Sequence, residues 1–272
     1  MNPNQGTVPI KAQGSFIEGL RVQGKVIGAL LLRELHTRYG RENVGYLWMF
    51  LEPMTFASAI ALLHSAEKTR YGTDIRAVPF FILGYSIFIM FRGFVNRSEG
   101  ALESNMPLLY HRRVTILDMM IARGILEAAG TFVTFLVLMG FTILIGLSDL
   151  PARPLELLIG VLLMAWLSFG VSLNLVAYTH ENRLVSRFVH PCTYILMPLS
   201  GAFVMLEWVP QPYRDWMGYI PMTRIFEELR YGYFESANDR FVDNGYVVAW
   251  AMVLTYWGLV SVKRLRRHVH LR

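Results

Sequence analysis

The sequence predicts an all-α integral membrane protein with six transmembrane helices, an N-terminal amphipathic interfacial helix and short re-entrant helices before the last span. Three observations predict it. Of 272 residues, 54% are hydrophobic and only 17% charged, less charge than a soluble domain of this length usually carries. The apolar residues gather into runs near the ~20 residues that cross a ~30 Å hydrocarbon core. Basic residues collect in alternate connections between those runs, as they do on the cytoplasmic side of a membrane.

Residues 1–21 are polar, show no cleavable signal peptide, and read as an N-terminal cytoplasmic tail. Residues 22–272 then form a single transmembrane domain. Within 22–39, Val22, Val26, Leu30, Leu31, Leu35 and Tyr39 recur at helical spacing, while Lys25, Arg33, Thr37 and Arg38 fall largely elsewhere. That pattern predicts a helix lying on the membrane surface with basic groups available to anionic headgroups, or one packed on a soluble partner. The spans are expected at about 44–64, 78–95, 118–147, 155–178, 188–206 and 245–262. Pro191 and Pro198 interrupt the fifth. Between the fifth and sixth spans, aromatics such as Trp208, Tyr213, Trp216 and Tyr219 alternate with Pro210, Pro212 and Pro221. Proline breaks helices, and Trp and Tyr favour the membrane–water boundary, so this segment reads as short helices dipping into the outer leaflet.

The net charge of +6 follows the same topology. Lys25, Arg33, Arg38 and Arg41 precede the first span, and Arg97, Arg112 and Arg113 follow the second. Arg183 and Arg187 follow the fourth, and Lys263, Arg264, Arg266, Arg267 and Arg272 close the chain. Between residues 207 and 243, four arginines face seven acids. Both termini are therefore expected in the cytoplasm, with membrane lipids and not nucleic acid as the partner of the basic groups.

Sites of chemistry are scarce. Gly19-Leu20-Arg21-Val22-Gln23-Gly24-Lys25-Val26 matches a phosphate-binding loop up to its last position, where Val26 replaces the Ser or Thr that holds magnesium. No apolar strand precedes it, so no ATP site is expected in this chain. The seven histidines form no zinc-protease pattern and no ligand spacing with the lone Cys192, which reads as a small core residue. No catalytic residue, cofactor site or metal site is expected.

Charges within or beside the spans carry more information, because burying them is costly unless they are paired or wet. These are Glu52, Arg92, Asp118, Arg123, Glu127 and Glu156. They read either as ion pairs that fix helix packing or as a polar track for a charged substrate. Tyr46 and Trp48 on the first span and Tyr85 on the second read as packed aromatics, or as a ring around a conduit on which sugars stack.

Three stretches resemble the membrane subunit of bacterial capsular-polysaccharide exporters, permeases of the type-two ABC class. The first is Leu32-Arg33-Glu34-Leu35-His36-Thr37-Arg38-Tyr39-Gly40, followed by Gly45-Tyr46-Leu47-Trp48 and Leu51-Glu52-Pro53. The second runs from Arg97-Ser98-Glu99-Gly100 through Asn105 to Pro107-Leu108-Leu109-Tyr110. The third is Asp118 with Ile121-Ala122-Arg123 and Leu126-Glu127. The resemblance implies two copies enclosing a path for lipid-linked polysaccharide across the inner membrane. It also implies two separate ATPase subunits that hold ATP and magnesium, and periplasmic and outer-membrane partners.

On the same resemblance, residues 25–38 and 97–114 receive the ATPase's motion. The coupling residues are then Arg33, Arg38, Asn105, Pro107, Tyr110, Arg112 and Arg113. The candidate substrate path is Arg41, Tyr46, Trp48, Glu52, Tyr85, Arg92 and Arg123. O-antigen, teichoic acid, lipid or drug export is the alternative within the class. A membrane-embedded glycan-modifying transferase is the alternative outside it, and needs a His, Asp or Ser cluster that the sequence does not show.

Overall fold

A computed structural model of the chain describes residues 16–39, 74–106 and 114–269, with isolated positions 55, 58, 59 and 63. The expected first span lies outside the described residues apart from those four positions. So do Arg41, Tyr46, Trp48, Glu52, Pro107, Tyr110, Arg112 and Arg113. Among the described residues every regular element is helical.

Helix α1 spans Phe16–Tyr39 and begins six residues before the expected start. No proline interrupts it, and Glu18 in its first turn suits the positive end of the helix dipole. Its C-terminal half is the packed part: Leu30 is buried and Leu31 and Leu35 half-buried, whereas Val22 is exposed. The phosphate-loop lookalike at residues 19–26 is continuous helix here.

Helix α2, Ala77–Ser98, is apolar on nearly every face and is buried on nearly every face. Phe80, Ile82, Leu83, Ile87, Phe88 and Met90 make it the centre of the bundle, as expected of a helix without a polar side. Helix α3, Ile116–Leu144, opens with a capping box: the Asp118 backbone N–H donates to Thr115 Oγ1 at 3.1 Å, and the Thr115 N–H donates to Asp118 Oδ2 at 3.0 Å. Asp118, read from sequence as a charge within a span, is a helix cap. The far half of α3 turns Leu136, Val137, Phe141 and Leu144 outward, an apolar face that suits lipid.

Helix α4, Pro154–Glu181, starts on a proline at its first position, where the missing N–H costs nothing. Helix α5 is Arg183–Leu199, helix α6 Tyr213–Gly218, helix α7 Pro221–Tyr233 and helix α8 Asn244–Val269. α4 and α8 pack closely because Gly258 sits on Leu173, where an added Cβ would lie 2.5 Å from the leucine Cβ. Two polar contacts pin the pair within the apolar layer. Asn174 Nδ2 donates to the Leu254 carbonyl at 2.8 Å, and Trp166 Nε1 donates to Thr255 Oγ1 at 3.2 Å.

Four described helices, α2, α3, α4 and α8 to Leu265, are long and apolar enough to cross a membrane. α5 is the difference from expectation. It starts at Arg183, capped by Asn182, and ends at Leu199, so it has 17 residues and not a run to residue 206. Beyond it Gly201 takes φ +83°, a conformation that ends the helix, and residues 206–208 form a separate turn of 3-10 helix. Cys192, expected in the core, lies on the exposed side of α5.

The bundle has two distinct ends. At one, Arg76 before α2 bonds the Gly146 carbonyl at 3.0 Å, and Arg153 N–H bonds the Gly232 carbonyl at 2.8 Å. At the other, the turn after α2 meets the end of α4 through Glu103 and His180 at 2.7 Å, and α1 docks on the start of α3. The described part of the basic connections, such as Arg33, Arg97 and Arg264, thus lies at the α1 end, and the acidic 207–243 segment at the opposite one.

Candidate functional site

The α1 end carries a polar network built from four elements. Arg123, about two turns into α3, is mostly enclosed, with 14% of its side chain exposed. Its Nε lies 3.3 Å from Glu34 of α1, its Nη1 donates to the Arg97 carbonyl of α2 at 3.0 Å, and its Nη2 reaches Ser104 Oγ at 3.4 Å. Planar guanidinium makes this possible, since its donors diverge in fixed directions. Arg97 in turn bonds the Glu127 carboxylate of α3. Gly93 leaves room for that carboxylate: a Cβ there would sit 2.0 Å from Glu127 Oε1. Of the six charges read from sequence either as ion pairs or as a polar track, Arg123 and Glu127 thus make ion pairs, each with a partner on another helix.

Two expected coupling residues meet in this network. Arg33 of α1 hydrogen-bonds the Asn105 side-chain oxygen, and Asn105 is buried, anchored by its own Nδ2 to the Ala101 carbonyl at 2.9 Å. A second strut, Gln23 Nε2 to Asp118 Oδ1 at 2.8 Å, ties the first half of α1 to the α3 cap. Of Arg38 only the helical backbone is described. Glu34, Gln23 and Gly93 were not singled out from sequence. Glu34 carried one signal: it is the lone acid in the basic half of α1.

The described path candidates occupy three different settings. Tyr85 is buried in the bundle core. Arg92 is half-buried, with its guanidinium 4.0 Å above the ring of Tyr194 of α5 and bonded to that tyrosine's hydroxyl. Arg123 belongs to the network above. Beside that network an apolar groove of about 260 Å3 opens between α2, α3 and α4, lined by Phe94, Gly124, Ala128, Trp166 and Phe169 among others. Its walls suit an alkyl chain and offer a glycan no hydrogen bonds.

The opposite end is also built around buried charge, in the segment read from sequence as short re-entrant helices. Arg230 of α7 is 1% exposed. It pairs with Glu227 at 3.1 Å, donates to the carbonyls of Gly201, Ala202 and Val204, and lies 4.5 Å above the Phe80 ring of α2. Burial pulls its pKa down to about 10, against the opposing pull of Glu227, so it remains cationic at neutral pH. Glu227 also accepts the Leu206 N–H at 3.0 Å. One side chain thus ties α7, the chain after α5 and α2 into a unit.

A helical bundle with four helices long and apolar enough to cross a membrane has the architecture of a polytopic membrane protein. Residues 25–234 match the ABC-2 type transporter family, and the chain belongs to it. It is 38% identical over 255 residues to the capsule polysaccharide export inner-membrane protein CtrC of Neisseria meningitidis serogroup B, covering 94% of this chain and 96% of that one. It is 32% identical over 257 residues to the capsule polysaccharide export inner-membrane protein BexB of Haemophilus influenzae, covering 94% and 97%. It is 26% identical over 245 residues to the polysialic acid transport protein KpsM of Escherichia coli, covering 89% and 93%.

Proposed function

We propose that this chain is the membrane subunit of an ATP-driven exporter that carries lipid-linked capsular polysaccharide across the bacterial inner membrane. The observation that carries the reading is its 38% identity, over nearly the whole of both chains, to a capsule polysaccharide export inner-membrane protein. Two copies would enclose the path, and two ATPase subunits, holding ATP and magnesium, would dock at the α1 end, in the cytoplasm. Both termini and the basic connections would face that side, and periplasmic and outer-membrane export proteins would continue the route.

The geometry supports a mechanical role for the α1 end. Arg33 and Asn105 join the surface helix to the turn after α2, while Arg123 joins Glu34 to α2 and α3. A push on either segment therefore reaches α2 and α3 through short polar struts and not through flexible loops. At the other end, α6 and α7 would dip into the outer leaflet, with Tyr213, Trp216 and Tyr219 at the headgroup level, exposed as interfacial aromatics are. Arg92, stacked on Tyr194, would meet the anionic groups of the passing chain.

Deleting the gene and restoring it tests the reading. Capsule should vanish from the cell surface, with polymer retained inside, and return with the wild-type copy. The tagged protein should copurify with a soluble ATPase. Retained capsule with loss of O-antigen or teichoic acid would reassign the substrate within the same class, and unaided change to a glycan by the purified chain would overturn the reading.

A further inference from the structure

The seam between α7 and the first turns of α4 and α8 holds an acid pair that the export reading does not use. Glu228 of α7 is 1% exposed, and its carboxyl faces the Glu156 carboxyl of α4 and the Asn244 side chain of α8. Its Oε1 and the Asn244 Oδ1 are buried oxygens without a hydrogen-bond partner. The contact is tight on either side. A Cβ at Gly232 of α7 would lie 2.4 Å from the Leu157 backbone nitrogen, and one at Gly160 of α4 would lie 2.8 Å from the Leu229 side chain. Water has little room to reach the Glu228 carboxyl, while Glu156 lies half-buried at the edge of the seam.

The nearby charged groups are committed elsewhere. Arg153, at the start of α4, donates to the carbonyls of Tyr231, Phe234 and Glu235. On α7, Arg224 donates to the carbonyls of Gly218 and Phe241, and Arg230 is paired with Glu227. Asp243, before α8, accepts the Tyr246 N–H at 3.0 Å. A buried carboxyl facing a half-buried one, with no cation brought to them among the described residues, calls for a proton between them, since the buried carboxyl cannot ionise beside the other without large cost.

We infer that Glu228 holds a proton which it donates to Glu156, and that this shared proton latches α7 onto the ends of α4 and α8, so that the seam loosens when the proton is lost. Burial, reinforced by Glu156, pushes the Glu228 carboxyl up to about 7 from 4.5. A carboxyl raised on folding favours the folded seam in its neutral form. Its stabilisation is therefore complete below 4.5 and is lost as pH rises through about 7. The chemistry of the latch stands apart from the export reading. On the orientation proposed above, this end of the bundle would meet the periplasm and the latch would respond to the pH there.

The test is thermal unfolding of the purified full-length protein in detergent between about pH 5 and about pH 9, with no ATPase or substrate present. Wild type should lose thermal stability as pH rises through neutrality. Glu228→Gln, which keeps the shape and the neutral charge, should retain its acid-pH stability across the range and lose the pH step. Glu156→Gln, which takes away the facing acid but not the burial, should move the step to lower pH, which guards against misfolding of one variant. Difference infrared spectra should show a protonated carboxyl band in wild type at neutral pH that is absent from Glu228→Gln. A pH step unchanged in either variant, or its absence from wild type, overturns the latch. Stabilisation of wild type by calcium or magnesium at high pH, lost in Glu228→Gln, overturns it in favour of a cation site. Failure of capsule export in cells, with the pH step intact, would count against the export reading alone.

Discussion

Arg123 of α3 and Glu34 of α1 lie 3.3 Å apart, with 14% of each side chain exposed. This pair fastens α1 to α3, a helix long and apolar enough to cross a membrane. Because both groups are largely enclosed, removing one leaves the other without its opposite charge, a loss on the order of 3 kcal/mol for a buried pair. Glu34→Ala should speed amide exchange along residues 16–39 while leaving α4 and α8 unchanged. The exchanged pair Glu34→Arg with Arg123→Glu should recover part of that protection. Equal protection in all three proteins would show that the pair does not hold α1.

Arg33 and Asn105 should act as one unit in export. Each single alanine variant is expected to lower surface capsule, and the double variant should be little worse than either, since both remove the same strut. Quantitative capsule measurement at matched protein levels gives the comparison. Independent, additive losses would mean that the two residues serve different steps.

Gly84 is pressed against the chain beyond α5: a Cβ there would lie 1.9 Å from the Ala202 carbonyl oxygen. Backbone cannot swing aside as a side chain can. Gly84→Ala should therefore destabilise by about 1–3 kcal/mol or more, read as a lower melting temperature. Gly140, with nothing within 4 Å of its added Cβ, is the control. Gly140→Ala should be neutral or slightly stabilising, since alanine is about 1 kcal/mol better than glycine in a helix. Equal effects at the two sites would refute the packing argument.

Arg230→Met should cost about 3–5 kcal/mol, because it strands Glu227 in the interior and frees the carbonyls of Gly201, Ala202 and Val204. Adding Glu227→Gln should restore a measurable part by removing the stranded charge. Limited proteolysis between residues 199 and 221 should track the loss. A double variant no better than the single would place the cost in the carbonyls alone.

Much of the helical layout was legible because membrane helices write their length and apolar character directly into sequence. The second, third, fourth and last spans were expected within a few residues of α2, α3, α4 and α8. The start of α1 was missed because residues 16–21, which mix Glu18, Gly19 and Arg21 with Phe16, Ile17 and Leu20, were grouped with the polar tail before them, though no proline separates them from the helix. The end of α5 was missed because the apolar run continues past the point where Gly201 turns the backbone. The site was less legible. Arg123 and Glu127 stood out as charges near a span, but nothing along the chain pairs Arg123 with Glu34, which is distant in sequence. Arg230, Glu227 and Glu228 lie in the segment read as short re-entrant helices, where they counted only toward the charge balance of that side and nothing along the chain marked them as buried.

By itself the sequence determined what kind of environment each segment needs: which runs belong in hydrocarbon, which connections carry positive charge, and where prolines and glycines break a helix. These follow from composition and spacing, which are local. Only the tertiary structure decided which charges are paired and which are enclosed, so that Arg123 became a three-way brace, Asp118 a cap and Glu228 half of a buried acid pair. Pairing and burial depend on distances between helices, and those are set by side chains meeting across the bundle.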